Sequence, residues 1–200
     1  MSNFGHKNYA SMKKIALIIV GIFLFYSFSF SQSLGIKTNL VHWATTTPNI
    51  GIEFAFSRKY TMDISAGYNP FVFNDNKKFQ HWIVQPELRY WTCESFNGHF
   101  FGIHGLVAEY NVGGIDFPLG RLKDLKDYRY KGFAYGGGIS YGYQWVLSKR
   151  WNVEASLGAG YAYLTYDKYP CTKCGTLLKS ENKNYFGVTK AAVSLIYLIK

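Results

Sequence analysis

Seven ionisable residues, Lys37, Glu53, Asp63, Glu87, Arg89, Glu154 and Lys190, stand on the small or polar side of segments in which large apolar and small polar residues alternate. In a narrow closed sheet, charges placed this way point into one shared interior. An isolated buried ion is costly, and a hydrogen-bonded partner of opposite sign largely offsets the cost. The expected chemistry is mutual neutralisation: a lumen ion-pair network that plugs the core and leaves no open pore. A gated proton or ion path along the same carboxylates is the functional alternative.

Nucleophilic and metal chemistry have weaker support. A hydrolase needs a Ser–His–acid set, or an acid and a His within hydrogen-bond reach. His42, His81, His99 and His104 are scattered, and no Ser-centred motif accompanies them. His42 and His81 are expected near one rim, where a partner such as Asp75 or Asp167 would make a lipid-modifying site and where rim histidines otherwise serve as interfacial hydrogen-bonders. Cys171-Thr172-Lys173-Cys174 has the spacing of half a zinc knuckle, but no second pair and no nearby His completes it. A local loop disulfide, or two free thiols, is the better reading. Cys93 is expected at the opposite end and unpaired. No metal and no cofactor is implied.

These residues must be positioned by strands. The clearest case is the hairpin 133–165 around the turn Leu147-Ser148-Lys149-Arg150. Phe133, Tyr135, Ile139, Tyr141, Tyr143 and Trp145 alternate with Ala134, Gly136, Gly138, Ser140, Gly142 and Gln144, a period of two. A soluble sandwich would carry long charged side chains on its polar face. Here that face is mostly Gly, Ala and Ser, which suits the inside of a small barrel with an aromatic-ended apolar exterior. Further alternating segments fall at 34–41, 49–56, 60–69, 81–91, 99–112 and 185–199, each of roughly the length a tilted membrane strand requires. Pro86 lies inside the fourth segment, where a bulge or local irregularity is expected. In the fifth, Phe101, Ile103 and Val107 are read as outward, His104 as inward and Glu109 as outward near a rim; in the eighth, Thr189 is read as outward. The hairpin starts Ser57-Arg58-Lys59-Tyr60-Thr61-Met62-Asp63 and Ser148-Lys149-Arg150-Trp151-Asn152-Val153-Glu154 echo one another, each with basic turn, interfacial aromatic and inward acid in that order. The fold class is all-β: an eight-stranded antiparallel up-and-down transmembrane barrel.

A leader precedes it. Met12-Lys13-Lys14, the apolar run 15–30 and the small residues before Gln32 make a secretory signal peptide cut near Ser31. Residues 1–31 are thus an N-terminal extension and cleavable leader with the true start at Met12, and residues 32–200 are the barrel. Removing Lys7, Lys13 and Lys14 takes 22 basic residues to 19 against 12 acids, a mature charge of +7. Export excludes nucleic acid as the partner of that charge. Arg121, Lys123, Lys126, Arg129 and Lys131, in the longest loop at 113–132, face either solvent or the phosphates of lipopolysaccharide.

Several stretches carry a resemblance: KTNL at 37–40, ATTTPNIGIEF at 44–54, SAGYNPF at 65–71, QPELRYW at 85–91, NGHFFG at 97–102, YNVGG at 110–114 and YDKYPCTKCG at 166–175. Together these resemble domain-of-unknown-function family 3575, small outer-membrane barrels of anaerobic Gram-negative bacteria, across essentially all of the mature chain. The resemblance implies an outer-membrane location, a small OmpA/OmpX-type barrel and, from the fimbrial genes that often neighbour members, a surface-appendage context. No catalytic residues come with it. The chain is therefore expected to be a non-enzymatic structural or interaction barrel acting through its extracellular loops on outer-membrane lipid, lipopolysaccharide or an appendage protein. The alternatives are an accessory subunit of a larger outer-membrane transport or assembly complex, and a lipid-modifying barrel enzyme.

Overall fold

The computed structural model describes residues 33–72, 78–114, 128–170 and 175–199. Among them run eight strands: β1 (Leu34–Asn39), β2 (Asn49–Ala55), β3 (Tyr60–Asn69), β4 (Lys78–Trp91), β5 (Gly98–Gly113), β6 (Arg129–Val146), β7 (Trp151–Tyr169) and β8 (Lys179–Ile199). Each pairs antiparallel with the next, and β1 pairs with β8, so the sheet closes into a ring with up-and-down order. The alternation read from the sequence sets the facing. Ile52, Ile64, Leu88, Ile103, Ile139 and Leu157 stand exposed outside, while Glu53, Asp63, Glu87, His104, Ser140 and Glu154 are buried inside. Small inward residues let neighbouring strands lie close: a Cβ on Gly136 or Gly138 would collide with the backbone of β7 beside it.

Two local expectations change, and a third is met only in its milder form. Residues 40 and 41 do not extend β1, because the Asn39 side chain accepts a hydrogen bond from the Val41 N–H and caps a one-turn helix, α1 (Leu40–Ala44). Register is unbroken across Pro86, with Val84 opposite Val107 and Glu87 opposite His104; the ladder to β5 merely skips Gln85 and Pro86, so the proline leaves a gap and no bulge. The bulge lies instead in β8. Gly158 faces Lys190 and Ala159 faces Val188, which makes Thr189 the extra residue. Thr189 is consequently inward: its hydroxyl lies 2.8 Å from His104 Nε2.

The strands also outrun their sequence boundaries at one end. β4 begins at Lys78, β6 at Arg129 and β8 at Lys179, and β7 reaches Tyr169. There both faces are polar or aromatic, so the apolar alternation fades although the hydrogen-bond ladder continues. Short turns join β2–β3, β4–β5 and β6–β7 at the other end. The segment 1–31 expected to be a leader, with Arg121, Lys123, Lys126, Cys171 and Cys174, lies outside the described residues.

Candidate functional site

Register alone brings acids together inside the ring. Glu53 pairs opposite Asp63, and Asp63 opposite Glu87, so three carboxylates line up across β2, β3 and β4. Like charges directly opposite destabilise a sheet unless cations reach them. Three do. Arg89 sends Nη1 to Glu53 Oε2 at 2.8 Å and to Glu154 Oε2 at 2.7 Å, Nη2 to Glu154 Oε1 at 3.0 Å and Asp63 Oδ2 at 3.2 Å, and Nε to Glu87 Oε2 at 2.5 Å. Its fork on Glu154 is bidentate, the strong geometry for guanidinium and carboxylate. Lys190 Nζ reaches Glu87 at 2.7 Å and Asp63 at 3.8 Å. From β1, Lys37 Nζ meets Glu53 at 2.5 Å and Asp63 and Glu154 at 3.4 Å.

The structure thus gathers Lys37, Glu53, Asp63, Glu87, Arg89, Glu154 and Lys190 into one buried network of three cations and four carboxylates. Glycines make its room. A Cβ at Gly51 would press on Lys37 Cγ at 2.6 Å, and one at Gly102 would press on Glu87 Oε1 at 2.6 Å. Side chains beyond the seven charges complete it. Thr61 Oγ1 donates to Glu53 at 2.5 Å while accepting from Trp91 Nε1 at 2.9 Å, Ser140 donates to Glu87, and the Arg89 guanidinium lies 4.3 Å from the centroid of the Phe100 ring. Thr61 and Ser140 are small polar residues on the inward period, a signal shared with many lumen positions that make no such contact.

Below the network, toward the short turns, Ala55, Phe96, Ile196 and Leu198 form an apolar cluster. Phe96 belongs to the β4–β5 turn, has φ 65°, and takes a hydrogen bond on its carbonyl from Asn152 Nδ2 at 3.1 Å. The turn is folded into the mouth of the ring. Above the network, a cavity of about 20 Å³ borders Lys37, Asp63, Gln85, Lys190 and His42, room for roughly one water. His42, on α1, closes it with a buried Nδ1 that has no hydrogen-bond partner among the described residues. Burial, and then the charges of His81 and Lys190, push this imidazole below the ordinary 6.5.

The other expected residues are dispersed. His81 Nε2 lies 3.4 Å from Thr47 Oγ1, and among the described residues no carboxylate hydrogen-bonds to His42 or His81. His99 is at the short-turn end beside Tyr141, 2.6 Å from its hydroxyl. Glu109 accepts from Trp82 Nε1 at 3.0 Å on the outer face. Arg129 lies over the Tyr169 ring at 4.4 Å, and Lys131 is exposed opposite Asp167. Cys93 is free and exposed.

An eight-stranded antiparallel ring with a charge-paired interior is the class these features define. The chain belongs to the family described as Protein of unknown function (DUF3575), whose model matches residues 15–199. No curated protein and no solved structure matches it.

Proposed function

We propose that this protein is an exported, non-enzymatic outer-membrane barrel, plugged along its axis and acting through its outer surface. The observation that carries the reading is the exterior. Ile103, Ile139 and Leu157 are 68%, 70% and 60% exposed at mid-height, in a continuous apolar belt that a protein surrounded by water does not present. Aromatic side chains bound that belt, with Tyr60 against Tyr90 and Trp151 against Tyr197 at the short-turn end, and Tyr68, Trp82 and Tyr135 with Tyr163 toward the other. Aromatic girdles at two levels are the signature of a membrane slab. Cleavage of the leader near Ser31 belongs to the same reading.

The stacked interior supports a structural role over a conductive one. Apolar cluster, ion network and His42 cap follow one another along the axis. Planar-bilayer recordings are expected to show no unit conductance, and a steady open channel would contradict the plug. Membrane insertion is tested by fractionation: the mature chain should stay in the outer-membrane pellet through an alkaline wash and migrate differently on gels before and after heating. A surface-appendage setting rests on the resemblance, and stoichiometric recovery of an appendage subunit in mild detergent is its test.

A further inference from the structure

Between β1 and β2 the chain crosses above the ion network without a strand. Residues 40–46, which are α1 and the two residues after it, are all exposed except His42, which is half-buried and borders the cavity above the network. Both ends of the crossing are pinned. At the first, Asn39 closes the seam in which Leu34 to Asn39 of β1 face Ile199 to Ser194 of β8. Its Nδ2 donates to the Ala191 carbonyl and its Oδ1 accepts from the Val193 N–H, each at 3.2 Å, and the same Oδ1 caps α1. At the second, Thr47 and Asn69 are fully buried, and Asn69 Nδ2 reaches Thr47 Oγ1 and the Thr45 carbonyl, each at 3.3 Å.

Between the pins the crossing is held lightly. The Thr45 and Thr47 N–H groups donate to the His42 carbonyl at 3.1 and 2.8 Å, the Thr46 N–H donates to the Trp43 carbonyl at 2.9 Å, and Trp43 Nε1 donates to Thr38 Oγ1 at 2.7 Å. A segment with exposed hydrogen bonds and little buried surface opens at low cost. Thr46 also has φ 55°, a left-handed conformation that a β-branched residue rarely adopts, so the closed crossing carries backbone strain.

The His42 ring is the one group of the crossing that faces inward, and its seat suits only a neutral ring. Gly67 of β3 makes the room: a Cβ there would lie 3.3 Å from His42 Nδ1. Charged groups come from the strands around it. Lys37 of β1, Asp63 of β3, Arg89 of β4, Glu154 of β7 and Lys190 of β8 border the same cavity, β2 adds only Asn49 and Gly51, and His81 of β4 stands beside Thr47. Both acids are engaged by Arg89 and Lys37, and among the described residues neither hydrogen-bonds to His42. Burial, His81 and Lys190 all oppose a proton on the ring.

We propose that residues 40–46 are a proton-released lid, closed over the lumen while His42 is neutral and lifted from its seat, between the pins at Asn39 and Thr47, when His42 takes a proton in mildly acidic medium. Lifting lets water reach the upper side of the ion network, at Lys37 and Asp63, while the apolar cluster below keeps the ring plugged. In the open lid the ring meets water and binds its proton at about the ordinary 6.5, and in the closed lid it does so only at lower pH. Opening therefore grows as pH falls from about 6.5 through the closed value. The device is independent of what surrounds the apolar belt.

The test is hydrogen exchange of the full mature chain in detergent, read by NMR at about pH 7.5 and about pH 5 and corrected for the intrinsic pH dependence of exchange. The Thr45, Thr46 and Thr47 amides are expected to lose protection at least tenfold at the lower pH, while mid-strand amides of β6 and β7 keep theirs. His42→Gln, uncharged at both, should hold the lid's protection constant; His42→Asn makes the same check if the first variant does not refold, with heat-modifiable migration reporting folding in each. His81→Gln should leave the loss in place. Constant protection in the wild type, an equal loss in the His42 variant, or disappearance of the loss in His81→Gln would each overturn the proposal. So would simultaneous loss across β6 and β7, which would show unfolding of the ring in place of release of the lid.

Discussion

Arg89 touches all four lumen carboxylates, so its removal leaves more unpaired charge than any other single substitution in the network. Breaking a buried pair by deleting one partner costs about 3–5 kcal/mol. Arg89→Met should lower unfolding stability in urea by about that amount. Asp63→Asn should cost clearly less, because the network carries four acids against three bases and losing one acid balances it. Equal losses in the two variants would show that charge balance does not govern this interior. His42 offers a separate check. Its folded value is held below 6.5 by burial, so its neutral form is the one that packs. The unfolded chain then binds the proton more readily, and stability is lost as pH falls from about 6.5 through the folded value. Imidazole shifts followed by NMR in detergent should give a His42 midpoint below 6.5; a midpoint at 6.5 would place the ring in water, and one above it beside an acid.

At the scale of elements, the seam between β1 and β8 is the weak course of the wall, and Asn39 holds it. One side chain caps α1 and bonds two edge groups of β8. Asn39→Ala should cost about 1 kcal/mol for the cap alone. Hydrogen exchange should speed at the Val41 and Val193 amides while mid-strand amides of β6 and β7 keep their protection; unchanged exchange at both sites would remove Asn39 from this role. None of this was readable from the letters, since a capping Asn and an inward strand Asn look alike in an alternating pattern. Strand interiors were legible for the opposite reason. In β3 and β7 the inward small or charged residues alternate with apolar ones, Asp63 between Met62 and Ile64 and Glu154 between Val153 and Ala155, so both acids announce their side. The bulge at Thr189 was hidden because Thr suits either face, and the upper ends of β7 and β8 were hidden because Tyr166, Lys168 and Glu181 give no apolar contrast.

Over the whole molecule, an apolar exterior encloses an interior whose charges neutralise one another. The seven lumen charges could be listed from the sequence because period two fixes a face for every residue, and their partners could not, because which inward residues meet across a ring depends on strand stagger. Trp91 and Phe100 illustrate this: both end up fully buried against the network, yet in the sequence they sit beside Tyr90 and Phe101, which point out. The central claim is that the apolar belt faces lipid. The most direct measurement is the accessibility of spin labels at Ile103, Ile139 and Leu157, on a cysteine-free background in liposomes, to oxygen and to a water-soluble nickel chelate. The account predicts high oxygen and low chelate accessibility at all three. Chelate accessibility matching that of a label in an exposed turn such as Lys149 would mean the belt faces water, and the membrane-spanning barrel would be contradicted.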